Sequence, residues 1–265
     1  MSNTVVITGG SSGLGLGLAE HYVAQGARVA LIARNPDKLQ AAAAQLRASS
    51  PDAQVLALPC DVSDADAMRA AFERIAAELG TPETVVCSAG VLDEARFDET
   101  TVERMREIMD INFFGVVQTV QAALPHLRKA ERPRIAIIAS VAAVMGVYGY
   151  TSYCASKHAL LGFAECLRIE QQPLGIRVQV ALPPEFASPM VDPSLIERSR
   201  TNVAMAKTIP PLTLEQAVDG VWAGLRGNSF VFAVGSAAST VTVMHRMFPR
   251  LSRWVVDRRL RALGA

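Results

Sequence analysis

Seven short apolar runs, at residues 4–8, 28–33, 54–59, 84–87, 134–139, 177–181 and 230–234, recur between longer stretches of helical periodicity. The first run leads through a glycine-rich turn into a helical stretch carrying Leu14, Leu16, Leu18 and Tyr22. Asn35-Pro36-Asp37 reads as a cap that opens an alanine-rich helix ending near Arg47. Further helices are expected over 68–79, with Phe72 and Ile75 inward, over 103–127 and over 152–171. Runs this short and apolar suit strands buried on both faces, and parallel neighbours need crossover helices. The alternation therefore predicts an α/β fold: a doubly wound parallel sheet of about seven strands, helices on both faces and right-handed crossovers. Half of the 265 residues are apolar, enough for a substantial core without disulfides or metal. With no linker, repeat or low-complexity segment, residues 1–265 read as one domain.

Composition narrows the function classes. The 26 basic and 25 acidic residues leave a net charge of +1, so no global field gathers nucleic acid. Cys60, Cys87, Cys154 and Cys166 are far apart and form no zinc-ligand spacing, which reads as reduced thiols and no metal site. No basic segment followed by an apolar one precedes Val5, and no run of about 18 residues is continuously apolar. Cytoplasmic residence is the expectation.

The segment Thr8-Gly9-Gly10-Ser11-Ser12-Gly13-Leu14-Gly15 lies between the first strand and first helix. There, glycines permit a tight turn and bring backbone N–H groups to a pyrophosphate at the helix N-terminus. About 20 positions further on, where a carboxylate would bind ribose hydroxyls and select NAD, the chain has Ala33 and then Arg34. A guanidinium there binds a 2′-phosphate, with Ser11 or Ser12 assisting, so NADPH/NADP is the expected cofactor. The pattern T-G-x-x-x-G-x-G is similar to that of the short-chain dehydrogenase/reductase family, whose fold is Rossmann-type. The resemblance implies that Asp61 and Val62 adjoin the adenine and that Ala89 and Gly90 admit the cofactor. The family's N-N-A-G appears here as Cys87-Ser88-Ala89-Gly90, a departure expected to weaken a structural tie rather than the chemistry.

Tyr153-Cys154-Ala155-Ser156-Lys157 puts a phenol and an ammonium one helical turn apart on one face. A neighbouring cation is expected to lower the Tyr153 pKa, and Lys157 has donors to spare for ribose hydroxyls. Ser140, at the end of the fifth strand, can polarise a carbonyl. Spacing and context resemble the family's tetrad of Asn112, Ser140, Tyr153 and Lys157; by that resemblance, Asn112 holds a water that links Lys157 to solvent. His158 points to another helix face and reads as packing or surface. The implied mechanism is ketone reduction, with Tyr153 donating the proton and Ser140 stabilising developing negative charge.

After the sixth strand the family carries P-G and a threonine, but here the chain reads Pro183-Pro184-Glu185-Phe186-Ala187-Ser188-Pro189. Pro184 cannot take the positive φ open to glycine, so the loop is stiffer, while Ser188 can still serve the nicotinamide amide beside Pro183. This segment, the stretch Ala33-Arg34-Asn35 before Asp37-Lys38-Leu39, and Gly149-Tyr150-Thr151-Ser152-Tyr153 resemble the 3-ketodihydrosphingosine (3-ketosphinganine) reductases within the superfamily. The likeness implies a small hydrophobic ketone as substrate, a lid over about 185–212 with Phe186 and Met190 against the substrate, and Glu185 near an amine. It also implies a homodimer or homotetramer. The basic, apolar segment over about 240–265 suits a helix lying on an anionic membrane surface, and equally packing on the core or an oligomer interface. Reduction of 3-oxoacyl thioesters, steroids or other hydrophobic ketones would use the same tetrad, and a non-catalytic NADP-sensing scaffold is the alternative from another class.

Overall fold

A computed structural model of the chain describes residues 3–188, 199–206 and 209–263. Its centre is one seven-stranded sheet built from β1 (Thr4–Thr8), β2 (Arg28–Ala33), β3 (Val55–Pro59), β4 (Pro82–Cys87), β5 (Arg134–Ile138), β6 (Arg177–Leu182) and β7 (Val231–Ala233). The spatial order is β3-β2-β1-β4-β5-β6-β7, and every neighbouring pair is parallel. Val6 lies level with Ala30 of β2 and Val85 of β4, and all three are inaccessible to solvent. The strand order reverses between β1 and β4, which opens a crevice beyond their carboxyl ends.

Helices cover both faces. On one side α3 (Ala65–Leu79), α5 (Gly115–Leu127) and α6 (Thr151–Gln171) supply Phe72, Ile75, Val120, Leu127 and Leu160 to the core. On the other, α1 (Gly13–Ala24), α2 (Pro36–Ser49) and α8 (Leu214–Arg226) supply Leu18, Leu39, Leu46 and Val221. Local chemistry sets the starts of these helices. Asn35 accepts from the Lys38 N–H at 2.9 Å with Pro36 in the first helical position, and Asp64 accepts from the N–H groups of Asp66 and Ala67. Thr213 and Gln216 cap α8 reciprocally.

Two expected helices differ from the structure. The stretch expected as one helix over 103–127 is α4 (Val102–Met109), a π-helical turn at Asp110–Phe114, then α5. The wider turn places the Asn112 side chain, fully buried, against the loop after β4, where its amide bonds both the N–H and the C=O of Val91. The C-terminal amphipathic segment is two helices, α9 (Ser236–Met247) and α10 (Pro249–Leu263). Pro249 cannot donate to the preceding turn but suits a first helical position, so the chain turns at Phe248. Between β6 and α8, α7 (Arg200–Ala206) lies within the expected lid, whose base is a short parallel pairing of Phe186 with Leu212. Met190 lies outside the described residues.

Cys87 stands where the family pattern has its first Asn, and Thr8 ties this end of the sheet: its hydroxyl accepts from the Ser88 N–H at 3.2 Å and the Ala89 N–H at 3.3 Å. Thr8→Val preserves shape but leaves both donors without that acceptor. Chemical denaturation should show a loss of roughly 1–3 kcal/mol with an unchanged circular dichroism spectrum.

Candidate active site

The crevice at the strand-order reversal deepens into a cavity of about 630 Å³. Its floor is the turn between β1 and α1, where Gly9 has φ +68°. A Cβ there would sit 2.8 Å from the Ala89 nitrogen, and one on Gly15 would sit 2.4 Å from the Gly9 carbonyl oxygen. Neither position has room for any other residue. Ser12, at the N-cap of α1, makes no capping bond with its side chain, and Ser11, Ser12, Gly13, Leu14 and Gly15 all line the cavity. The turn thus presents the N-terminus of α1 to the cavity, a cradle suited to a phosphate-bearing ligand.

Arg34, Asn35 and Lys38 line one end. The Arg34 guanidinium is largely exposed and stands 4.0 Å from the Asp61 carboxylate. Burial alone would raise the Asp61 carboxyl, but hydrogen bonds from the Ser63 N–H and hydroxyl, then the Arg34 charge, outweigh it and hold the group below its ordinary value. Val62, Ala89 and Gly90 follow along the wall, and the Cys60 thiol behind them is pushed up to about 11 by burial and by Asp64 and Asp61. That thiol is unreactive near neutral pH.

The middle of the cavity holds Ser140, Tyr153 and Lys157. Ser140 follows β5, and its Oγ accepts from the Ala142 N–H at 3.1 Å while engaging the Tyr153 phenol. Lys157 is buried on α6; its Nζ donates to the Ile138 carbonyl at 3.2 Å and lies 5.5 Å from the centre of the Tyr153 ring. The expected lowering of the Tyr153 pKa by Lys157 is not what this geometry produces. Burial holds the phenol well above its usual value against the lowering influence of Ser140, and burial pushes the Lys157 ammonium down to about 8. Asn112 lies behind this group rather than on its surface. Its Nδ2 donates to Val91 and to the Ser156 Oγ at 3.1 Å, bracing the loop after β4 against α6. His158 is exposed; its Nδ1 lies 2.8 Å from the Cys154 carbonyl of its own helix, and it also faces His245 of α9 electrostatically.

Pro183, Glu185, Phe186 and Ser188 line the same cavity. The Pro183 carbonyl accepts from the Val141 N–H at 3.1 Å, and the Glu185 carbonyl from the Leu212 N–H at 2.9 Å, so the double-proline loop is pinned at both ends. Several lining residues are not legible in the sequence motifs. Lys38 comes from the first turn of α2, one helical turn past Arg34, a spacing that offers a signal. Leu92, Met145, Val147 and Ile209 make an apolar wall, and Val256 reaches it from α10. The loop joining Ser140 to Tyr153 has to pass the reacting groups, which points to Met145 and Val147; nothing local points to Val256.

Parallel strands, a glycine cradle at the point of reversal and a tyrosine beside a buried lysine define an α/β protein of the nucleotide-binding, acid–base type. Residues 3–198 match the short chain dehydrogenase family, and the chain belongs to it. It is 36% identical over 188 residues to a 3-ketodihydrosphingosine reductase of Bos taurus, covering 70% of this chain and 57% of that protein. The chain thus spans less than two thirds of that relative's length. It is 31% identical to 11-beta-hydroxysteroid dehydrogenase-like 2 of Arabidopsis thaliana, over 86% of this chain and 72% of that one. Among solved structures, an NADPH-bound short chain oxidoreductase of Pseudomonas aeruginosa PAO1, with an atypical catalytic center, is 28% identical. Its TM-score is 0.79, with 88% of this chain and 96% of that chain covered. The residues here fit a dinucleotide of this kind: Gly9 and Gly15 leave no room for a side chain in the cradle, and Arg34 and Lys157 line the same cavity.

Because Lys157 is held below its ordinary pKa, the unfolded chain binds that proton more tightly between pH about 8 and about 10.5. Stability contributed by this group therefore rises with pH across that window and is lowest below it. Compared with Lys157→Met, the wild-type protein should gain unfolding free energy from pH 8 to pH 10, measured by urea titration at each pH.

Proposed function

We propose that this protein is an NADPH-dependent ketoreductase whose substrate is a long-chain ketone, the 3-keto group of 3-ketosphinganine. The observation that carries the reading is the Ser140–Tyr153 pair facing an apolar wall within the same cavity as the glycine cradle. The likeness to sphingoid ketone reductases from cattle, mouse and zebrafish, at 34–36% identity, supports this choice of substrate.

Bound NADPH supplies the hydride. Thr8, Gly9, Ser11, Ser12, Gly13, Leu14 and Gly15 would hold its pyrophosphate, with Asp61, Val62, Ala89 and Gly90 along the adenosine half. Arg34, joined by Lys38, would hold the 2′-phosphate, and Ala33 adds no opposing carboxylate. Lys157 and Tyr153 would hold the ribose next to the reacting ring, and Pro183 and Ser188 its amide.

Tyr153 transfers its proton to the carbonyl oxygen. Burial keeps the phenol protonated throughout the physiological range, so it has a proton to give in the reductive direction. The Ser140 hydroxyl stabilises the oxygen as charge develops. Lys157, with a pKa near 8, carries a proton at neutral pH to restore the phenol, and Asn112 fixes the α6 segment from which both act. Phe186 closes the apolar side, and Glu185 offers a carboxylate to a substrate amine.

A second reading, reduction or oxidation of a steroid-like alcohol, is favoured by the broader coverage of the plant hydroxysteroid dehydrogenase-like relative.

NADPH oxidation at 340 nm with 3-ketosphinganine in mixed micelles, beside a steroid ketone and a short 3-oxoacyl thioester, separates these readings. Preferred turnover of the sphingoid ketone is expected; turnover of the others alone would overturn the substrate assignment. Tyr153→Phe should lower turnover by roughly 10²–10⁴-fold while NADPH binding, followed by fluorescence, is kept. A non-catalytic nucleotide sensor would show neither turnover nor that loss. Arg34→Ala should weaken NADPH roughly 10–100-fold and leave NADH nearly unchanged.

A further inference from the structure

The C-terminal helices carry an apolar surface that the protein leaves in solvent. On α9, Val243, Met244 and Met247 are exposed; Phe248 at the turn is 55% exposed; on α10, Leu251, Trp254 and Val255 continue the surface. The spacing on α10, with Arg258 as the next member, is i, i+3, i+4 and i+7, so these residues share one face. Ser252, Val256 and Leu260 take the opposite side and are only partly accessible. Val256 there lines the main cavity, and α10 packs against α7. The helix therefore turns one stripe inward and leaves another, larger one outside.

Charge on these helices is as lopsided as their polarity. Residues 236–263 contain six arginines and one aspartate, a net +5 within a chain whose total is only +1. The rest of the protein is accordingly acidic on balance. Arg250 and Arg261 border one side of the apolar α10 face, and the Arg258 guanidinium lies 5.4 Å from the centre of the Trp254 ring. No described helix is long and apolar enough to cross a membrane. An exposed apolar face edged by arginines is the pattern of a helix that lies in the headgroup region of an anionic bilayer, with Trp at the boundary.

We propose that α9 and α10 form the docking surface of this protein for an anionic lipid bilayer. The apolar stripe enters the headgroup boundary, and the arginines meet lipid phosphates. The same helix that touches lipid forms part of the cavity wall through Val256, so docking sets the cavity beside the membrane surface. The surface stands apart from the reductase reading, because its chemistry needs neither cofactor nor ketone.

The test is flotation of the whole protein, without cofactor or substrate, with vesicles of phosphatidylcholine alone or mixed equally with phosphatidylglycerol. Binding should require the anionic lipid, weaken with added salt, and, in a Trp222→Phe background that leaves Trp254 as the emitter, shift the emission to the blue. Arg250→Gln with Arg261→Gln should weaken partition roughly 30-fold, about fivefold for each arginine. Leu251→Ser with Val255→Ser should remove the emission shift and most of the binding. All four positions are exposed, so circular dichroism should be unchanged. Equal binding to neutral vesicles, no binding to either, or indifference to both double variants would overturn the proposal. Sedimentation velocity adds the remaining case: a dimer that Leu251→Ser with Val255→Ser converts to monomer, without vesicle binding, would make this face a contact between copies. Failure on vesicles leaves micellar turnover of the ketone untouched, so the two readings fail separately.

Discussion

A parallel sheet covered on both faces leaves only its edges for chemistry. Each strand before β7 feeds a crossover that returns along the sheet, so the loops after β1, β2, β3, β4, β5 and β6 gather at the carboxyl edge. The reversal of strand order between β1 and β4 then prevents the loops on either side from closing over one another. The close approach of Gly9 to Ala89 across that gap joins the two halves of the floor. The positions of Arg34 at one end and Tyr153 at the other follow from which strand each residue succeeds.

Much of this was legible before any coordinates. All seven strands are legible to within two residues at each end, because short β-branched runs between turn residues have few other readings. Ser140, Tyr153 and Lys157 were readable as a group because serine follows a strand and the other two share one helix face, and the structure brings all three to one cavity. What escaped depends on tertiary contact. The π-helical turn leaves no periodicity signal, since it exists to satisfy the buried Asn112 and Val91 groups. The inward face of α10 was equally unreadable: Val256 is one of several valines in the tail, and only packing distinguishes it.

The electrostatics of the tyrosine and lysine were the larger surprise. Sequence spacing makes them neighbours but says nothing of the solvent around them. Burial dominates the shift of each group, neither shift draws on the other, and the Ile138 carbonyl takes the ammonium that was expected to act on the phenol. At neutral pH the phenol therefore keeps its proton, and the amine carries one that it holds less tightly than an ordinary lysine. Two adjacent groups with pKa values displaced in opposite directions give one site a donor and a nearby reservoir.

The π-helical turn between α4 and α5 has a geometric consequence. One additional residue in a turn rotates everything beyond it by about 100° around the helix axis. Of this nearly continuous rod, α4 packs toward α6 while α5 packs toward α3 and β4. The turn thus acts as a phase shifter, letting a single rod present its apolar stripe to two partners that no straight helix could face at once. Deleting one residue there would bring the two stripes back into line, and either Ile108 or the row of Val116, Val120 and Leu127 would lose its place in the core.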